Sequence, residues 1–192
     1  MRLFLAIELA ENVKKHLARV REAVENFDID LADQIRWVKP PNWHITLKFL
    51  GEVEDARLSE ITTTLRDVRA QQTELMLSGL IYLPPKRGPV RVVACGVGGD
   101  TGRLNVLHRA IEQACESAGF ERERRAFTAH ATLGRAPDGA AASMMGRYLR
   151  GKTRTGLFPG PEFIVPQFVL MQSNLKADGA EYVQVAQFPL EK

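Results

Sequence analysis

A short motif, H-x-T-L, occurs twice in this chain of 192 residues. The first copy begins at His44 and the second at His130, and each lies in a run of strand-like residues. Successive side chains of a β-strand point to opposite faces, so the histidine and the threonine of each copy share a face. A fold that brings the two strands together would therefore present two imidazoles and two hydroxyls at one place.

The same alternation makes predictions for the residues that follow each motif. It places Lys48 on the face of His44 and turns Phe49 toward the core. In the second strand it places Gly134 beside His130 and turns Arg135 away, unless the strand ends or bends at the glycine. We therefore expect Lys48 to reach a bound phosphate, and Arg135 to do so only if the strand is irregular.

Two imidazoles and two hydroxyls suit the hydrolysis of a phosphodiester. One neutral histidine takes a proton from water and one imidazolium donates a proton to the leaving oxygen, since the usual pKa of histidine lies near neutrality. The hydroxyls of Thr46 and Thr132 donate hydrogen bonds to the non-bridging oxygens, where negative charge collects. We predict that His44, His130, Thr46 and Thr132 are catalytic.

The remaining residues offer no rival chemistry. The other two histidines, His16 and His108, lie beside the apolar stripes of predicted helices, and we assign them no role. We find no Asp-rich loop, HExxH pair or P-loop in the sequence. The sequence therefore predicts a reaction without metal or cofactor.

Hydrophobic periodicity predicts helices and strands in alternation. Predicted helices centre on 13–24, 58–68, 104–114 and 144–149. Predicted strands cover 3–9, 43–50, 74–83, 90–97, 129–135, 162–172 and 182–188. A proline- and glycine-rich turn, PPKRGP, follows the third strand, and Asp178-Gly179 marks the tip of a final hairpin. This order favours an α+β fold with antiparallel sheets and outer helices.

Composition is that of an ordinary globular protein with a formal net charge of +3 and a pI near 9.0. Basic residues cluster in two places, which could attract phosphates. The clusters are Arg122, Arg124 and Arg125, and Arg147, Arg150, Lys152 and Arg154.

The two cysteines, Cys95 and Cys115, are too far apart for a CxxC pair, so we expect a reducing, cytoplasmic setting. No signal peptide or membrane span is indicated.

The two motif blocks, WVKPPNWHITLKFLGEV and FTAHATLGR, resemble the two-histidine (2H) phosphoesterase superfamily. The chain is most similar to its RNA 2′,3′-cyclic phosphodiesterases, also called 2′-5′ RNA ligases. The opening MRLFLAIEL, the segment PPKRGPVRVVACGV and the ending LMQSNLKADGAEYVQVAQFPL match that family in character and order, so the resemblance covers nearly the whole chain.

The resemblance implies one domain, 1–192, made of two pseudo-symmetric lobes with a LigT-like fold. Two antiparallel sheets would face each other across a central cleft, with helices on the outside. It implies hydrolysis of a terminal 2′,3′-cyclic phosphate of RNA to a 2′-phosphate, with 2′-5′ ligation as the reverse reaction. It also implies that His44 is the proton donor, that His130 is the proton acceptor and that Arg135 can assist. The family usually has proline before the second histidine, where this chain has Ala129.

Three alternatives stay open at this point. A small cyclic phosphate or a 2′-5′-linked oligonucleotide would suit the same two histidines. A non-catalytic RNA-binding module could retain the scaffold, and a metal-dependent phosphoesterase would need residues that we do not find. We expect a monomer that acts on RNA ends or small cyclic-phosphate nucleotides, without a membrane partner.

Overall fold

The structure is a computed structural model that describes residues 1–27, 29–84, 88–152, 160–176 and 179–192. Some sequence predictions lie outside these residues. They concern residues 85–87 of the proline-rich turn, Asp178 of the hairpin tip and Arg154 of the second basic cluster. The side chains of Tyr148, Leu149, Arg150 and Lys152 also lie outside the described part of the chain.

Nine strands and five helices are interspersed along the described residues, and this confirms the α+β class. The strands are β1 (Arg2–Glu8), β2 (Arg36–Trp37), β3 (His44–Glu52), β4 (Thr73–Leu83), β5 (Val92–Gly99), β6 (His130–Arg135), β7 (Glu162–Val165), β8 (Gln167–Lys176) and β9 (Gly179–Pro189). The helices are α1 (Glu11–Phe27), α2 (Ile29–Ala32), α3 (Leu58–Arg66), α4 (Thr101–Ser117) and α5 (Gly139–Lys152).

The strands form one curled antiparallel sheet in the order β7-β4-β5-β6-β3-β1-β8-β9, with β2 added beside β6. Each half of this order has four strands, and one strand of each half carries an H-x-T motif, β6 in the first half and β3 in the second. The halves meet where β3 pairs with β6, through the single pair Ile45 and Ala131. These are the middle residues of the two H-x-T motifs, so the motifs adjoin at the centre of the sheet.

The helices cover one face of the sheet and leave the other face open. Leu5 and Ile7 of β1 belong to the main core, together with the apolar stripe of α1. The alternate residues Phe4 and Ala6 pack on the opposite face against Val169. The stripe predicted for α1 is confirmed, because Val13, Leu17, Val20 and Val24 are all buried.

The single strand predicted over 162–172 is wrong. Pro166 divides it into β7 and β8, which pair with strands of different halves, β4 and β1. Proline has no N–H to donate to a neighbouring strand, so it occurs where pairing is interrupted. The apolar pattern continues across the proline because both pieces are half-buried strands.

Each motif strand contains a β-bulge at the leucine of its motif. In β3, Thr46 pairs with Ala6 and Lys48 pairs with Leu5, so Leu47 is the extra residue. In β6, Thr132 pairs with Ala94 and Gly134 with Val93, so Leu133 is the extra residue. An extra residue reverses the alternation that follows it. The residues after each motif therefore exchange faces relative to the sequence prediction.

Gly134 now points to the packed face, where a side chain has no room. A Cβ atom at this position would lie 2.3 Å from Cγ2 of Ile35 and 3.1 Å from Cε3 of Trp37. We therefore expect Gly134→Ala to lower the free energy of unfolding by about 1–3 kcal/mol through overpacking. Urea unfolding measures this loss.

The matched control is Gly139→Ala at the start of α5, where no atom lies within 4 Å of the added Cβ. This variant should be neutral or slightly more stable than the wild type. Equal stability of the two variants would contradict the bulge in β6.

Candidate active site

A cavity of about 320 Å³ opens on the uncovered face where the two motif strands meet. It brings together three of the four predicted catalytic residues, His44, Thr46 and Thr132, and it adds Arg135. The other lining residues are Arg2, Leu3, Phe4, Val38, Asn42, Phe49, Ser173, Leu175, Ala180 and Tyr182. This set contains two arginines and no carboxylate, so the cavity suits an anion.

The fourth residue, His130, lies next to this cavity rather than among its lining residues. It shares a strand face with Thr132, two residues away. Because β3 and β6 are antiparallel and pair at Ile45 and Ala131, continuing the register sets His44 toward Thr132 and His130 toward Thr46. Each imidazole is therefore near the hydroxyl of the other motif.

Hydrogen bonds fix the orientation of the His44 ring. Its Nδ1 lies 2.7 Å from the carbonyl oxygen of Asn42, which can only accept, so Nδ1 carries the proton. The Nε2 atom lies 2.9 Å from Oγ1 of Thr46 and accepts its hydroxyl proton when the ring is neutral. The Nε2 atom is thus directed at the cavity.

His130 has the same local arrangement. Its Nδ1 donates to the carbonyl oxygen of Thr128 over 2.7 Å, two residues earlier in the chain. This leaves Nε2 as the atom available for chemistry. The bond from Nδ1 to the carbonyl of residue i−2 is therefore common to both motifs.

Both imidazoles favour the neutral form in the free protein. The pKa of His44 is lowered to about 4, mainly by burial and also by the charges of Arg135 and His130, while the hydrogen bond to the carbonyl of Asn42 raises it. Burial also lowers the pKa of His130, again against its backbone bond and with the help of Arg135. The charge of His130 thus makes a small contribution to the lowered pKa of His44.

The prediction that Lys48 meets the substrate phosphate needs correction. The bulge at Leu47 turns Lys48 to the packed face, where the residue is 5% exposed. Its Nζ atom lies 2.9 Å from each carboxylate oxygen of Glu112 and donates to the carbonyl of Glu121 over 2.8 Å. Lys48 therefore has its partners on the side of the sheet away from the cavity.

Two residues line the site, although strict alternation predicted that they would point away from it. The bulge at Leu133 brings Arg135 into the cavity, the irregularity on which its predicted role depended. The bulge at Leu47 does the same for Phe49, which was expected in the core and is 63% exposed. Phe49 and Arg135 occupy equivalent positions after their motifs, so the two sides of the site differ in chemistry.

Aromatic residues around His44 were not singled out by the sequence. Phe4 packs against His44 with ring centroids 4.9 Å apart, and Tyr182 meets His44 edge-on at 5.3 Å. Phe4 is on β1 and Tyr182 on β9, so only the pairing of distant strands brings them to the motif. The sequence of β1 carries no signal for this contact, because residues 3–7 are all apolar and all buried.

Four side chains of the two basic clusters are described, those of Arg122, Arg124, Arg125 and Arg147, and all four are exposed. Arg122 and Arg125 are exposed and pair with Glu116 and Glu123, at 3.6 and 2.9 Å. Arg147 is exposed as well, and none of these three residues lines the cavity. The basic residues that line the cavity, Arg2 and Arg135, lie outside both clusters, and the charge of Arg135 acts on both histidines.

Within the ranges that the structure describes, no three His, Cys, Asp or Glu residues are grouped so as to hold a metal ion. Cys95 and Cys115 are free and buried. None of the described helices is both long enough and apolar enough to cross a membrane.

The chain is similar in sequence to known proteins. A family model, LigT-like phosphoesterase, matches residues 7–94. An RNA 2′,3′-cyclic phosphodiesterase of Thermotoga maritima is 31% identical over 188 residues, which cover 95% of this chain and 91% of the relative. Another, from Aeropyrum pernix, is 35% identical over 119 residues, which cover 62% of this chain and 65% of that relative.

Solved structures share the fold. The TT0787 protein of Thermus thermophilus superposes with a TM-score of 0.75 at 26% identity, over 98% of this chain and 97% of that protein. E. coli LigT in complex with 3′-AMP superposes with a TM-score of 0.73 at 22% identity, over 100% and 98%. The likeness of fold, the paired motifs and the nearly full-length match in Thermotoga maritima lead to one assignment: the chain belongs to the LigT-like phosphoesterases, in the family of RNA 2′,3′-cyclic phosphodiesterases.

Proposed function

We propose that this protein hydrolyses the terminal 2′,3′-cyclic phosphate of RNA to a 2′-phosphate by acid–base catalysis between His44 and His130. The observation that carries the proposal is the pairing of the two H-x-T strands at Ile45 and Ala131 beside a cavity that contains Arg135. This arrangement supplies two imidazoles, two hydroxyls and one guanidinium to a single phosphate.

In the proposed reaction, His130 takes a proton from the water molecule that attacks phosphorus. The bond between phosphorus and O3′ breaks, and His44 donates a proton to O3′ to give a 3′-hydroxyl and a 2′-phosphate. The donor must be charged, whereas burial keeps His44 neutral in the free protein. We expect the bound anionic phosphate to raise the pKa of His44, since a nearby negative charge favours imidazolium.

The other polar groups stabilise charge on the phosphate. The hydroxyl of Thr46 is already within hydrogen-bond distance of His44, and Thr132 lines the same cavity. In the proposed complex both hydroxyls and Arg135 donate to the non-bridging oxygens, where charge develops in the transition state. A guanidinium can donate two parallel hydrogen bonds to a phosphate.

The cavity has space for more than a phosphate. A volume of about 320 Å³ falls at the lower end of small-molecule sites, and Phe4, Phe49 and Tyr182 supply aromatic surface around it. Aromatic rings are the usual partners of unpaired RNA bases. A fold neighbour, E. coli LigT, was crystallised with 3′-AMP. These features support a terminal nucleotide of RNA as the substrate.

Ligation follows from the same chemistry with a different nucleophile. If a 5′-hydroxyl of RNA replaces water as the nucleophile, attack on the cyclic phosphate and loss of O3′ give a 2′-5′ linkage. The proton transfers are the same, so we propose that hydrolysis and ligation share His44 and His130.

Replacing either histidine tests the catalytic pair. We expect His44→Ala and His130→Ala each to lower kcat/KM by about 10²–10⁴-fold on a short RNA with a 2′,3′-cyclic phosphate end, because each removes one proton transfer. Product mass and phosphatase sensitivity report the 2′-phosphate.

The assay runs with excess chelator, and RNA binding by both variants is measured in parallel. Loss of wild-type activity that added metal restores would contradict the mechanism. Full activity in either variant would rule out the pair.

The pH dependence of kcat/KM follows from the lowered pKa values. The active form has one charged and one neutral imidazole, and it is most populated between the two pKa values of the pair. Both histidines have pKa values below 6.5, about 4 for His44, so kcat/KM should be highest on the acid side of pH 6.5 and fall as pH rises.

The bound phosphate raises both pKa values, so the maximum of kcat should lie at higher pH than that of kcat/KM. Rate measurements from pH 4 to 9 separate the two profiles. A kcat/KM that still rises above neutral pH would be inconsistent with the buried pair.

Arg135→Gln removes a charge from the cavity. We expect kcat/KM to fall by about 10–100-fold, the effect of losing hydrogen bonds from a charged donor. The matched control, Arg69→Gln, removes the same charge from a side chain that is 65% exposed and lies outside the cavity. An equal loss in the control would assign the effect of Arg135 to net charge alone.

A further inference from the structure

We propose that Lys48 and Glu112 form a buried anchor that positions His130, although neither residue meets the substrate. The inference rests on the proposed function, since it concerns the histidine assigned there as proton acceptor. It gives Lys48 a role in place of the phosphate contact expected from the sequence. The anchor links β3, which carries His44, to the chain segment that leads into His130.

The pair is unusual in its burial. Among the described residues, Lys48 and Glu112 are the two charged side chains in the buried class, at 5% and 4% exposure. Both oxygens of Glu112 lie 2.9 Å from Nζ of Lys48. A buried ion pair commonly stabilises a protein no more than well-packed apolar residues of similar volume. Stability alone therefore does not account for two charges at this place.

Both members of the pair hold backbone atoms of the connection between α4 and β6. We call residues 118–129 the connection, and most of it has neither helix nor strand. Nζ of Lys48 donates to the carbonyl of Glu121 over 2.8 Å. The backbone N–H of Glu123 donates to Glu112 over 3.1 Å. The pair thus fixes two alternate backbone positions of the connection at once.

His108 adds a second attachment to the connection. Its ring stacks on Phe127 with centroids 4.0 Å apart and planes at 12°, and its Nε2 lies 3.9 Å from Glu112. Contacts therefore run from Lys48 of β3 through α4 to Phe127, three positions before His130.

The end of the connection determines the orientation of the second histidine. The carbonyl of Thr128 accepts the Nδ1 proton of His130, and the carbonyl of Ala129 accepts the N–H of Val97 over 3.2 Å. If the connection shifts, the acceptor of Nδ1 shifts with it and Nε2 loses its direction. Because Lys48 lies on the strand of His44, the anchor fixes the positions of the two histidines relative to each other.

The test replaces both charges by apolar side chains, in Lys48→Met/Glu112→Leu, so that no unpaired charge stays buried. We expect kcat to fall by about 10–100-fold with KM within about twofold, since a misplaced catalytic group affects the chemical step. The Val97 amide should exchange its hydrogen faster, and the imidazole NMR signals of His130 should change while those of His44 do not. Lys48→Arg, which keeps the charge and the donors, should retain most of the wild-type kcat.

The control for stability is Val20→Ala, a cavity in α1, a helix that contains neither the anchor nor the connection. Its kcat and its His130 signals should match those of the wild type at a temperature where all variants are folded. A double variant with wild-type kcat, Val97 exchange and His130 signals would overturn the proposal. So would an equal loss of kcat in Val20→Ala.

The NMR and exchange readouts separate this proposal from the proposed function. If the wild type fails to hydrolyse the cyclic phosphate, the proposed function fails, while the His130 and Val97 measurements still decide the anchor. If the double variant does not fold, Glu112→Gln, which keeps the shape of the side chain, is judged by the same measurements.

Discussion

The site depends on one point of contact between the two halves of the sheet, the pairing of Ile45 with Ala131. Both side chains are buried and point away from the cavity. Because side chains alternate along a strand, burying these middle residues directs the flanking histidines and threonines to the opposite face. The apolar contact thus places the polar residues of both motifs on the cavity face. A shift of one residue in this register would turn the motif of the shifted strand toward the core.

The bulges at Leu47 and Leu133 then make the two sides of the site unlike. In both strands the extra residue reverses alternation, so Phe49 reaches the cavity on one side and Arg135 on the other. The motifs themselves are equivalent, with the same bond from Nδ1 to a carbonyl two residues earlier. The chemical difference between the two sides of the cavity therefore comes from the residues after the motifs.

Burial governs the protonation of the pair. Packing of His44 against Phe4 and Tyr182 removes it from water and disfavours its charged form. The same burial makes the ring sensitive to charges nearby, such as Arg135. In the proposed mechanism, an anion that enters the cavity favours imidazolium, and this couples substrate binding to the charge that proton donation needs.

The sequence by itself determined the α+β class, the buried stripe of α1 and the pairing of His44 and Thr46 on one strand face, because these follow from local periodicity. Tertiary structure decided what depends on pairing between distant strands. The bulges, which local periodicity does not reveal, sent Lys48 to a buried carboxylate and Arg135 to the cavity, the reverse of strict alternation. A register is a relation between two segments, and neither segment contains it alone.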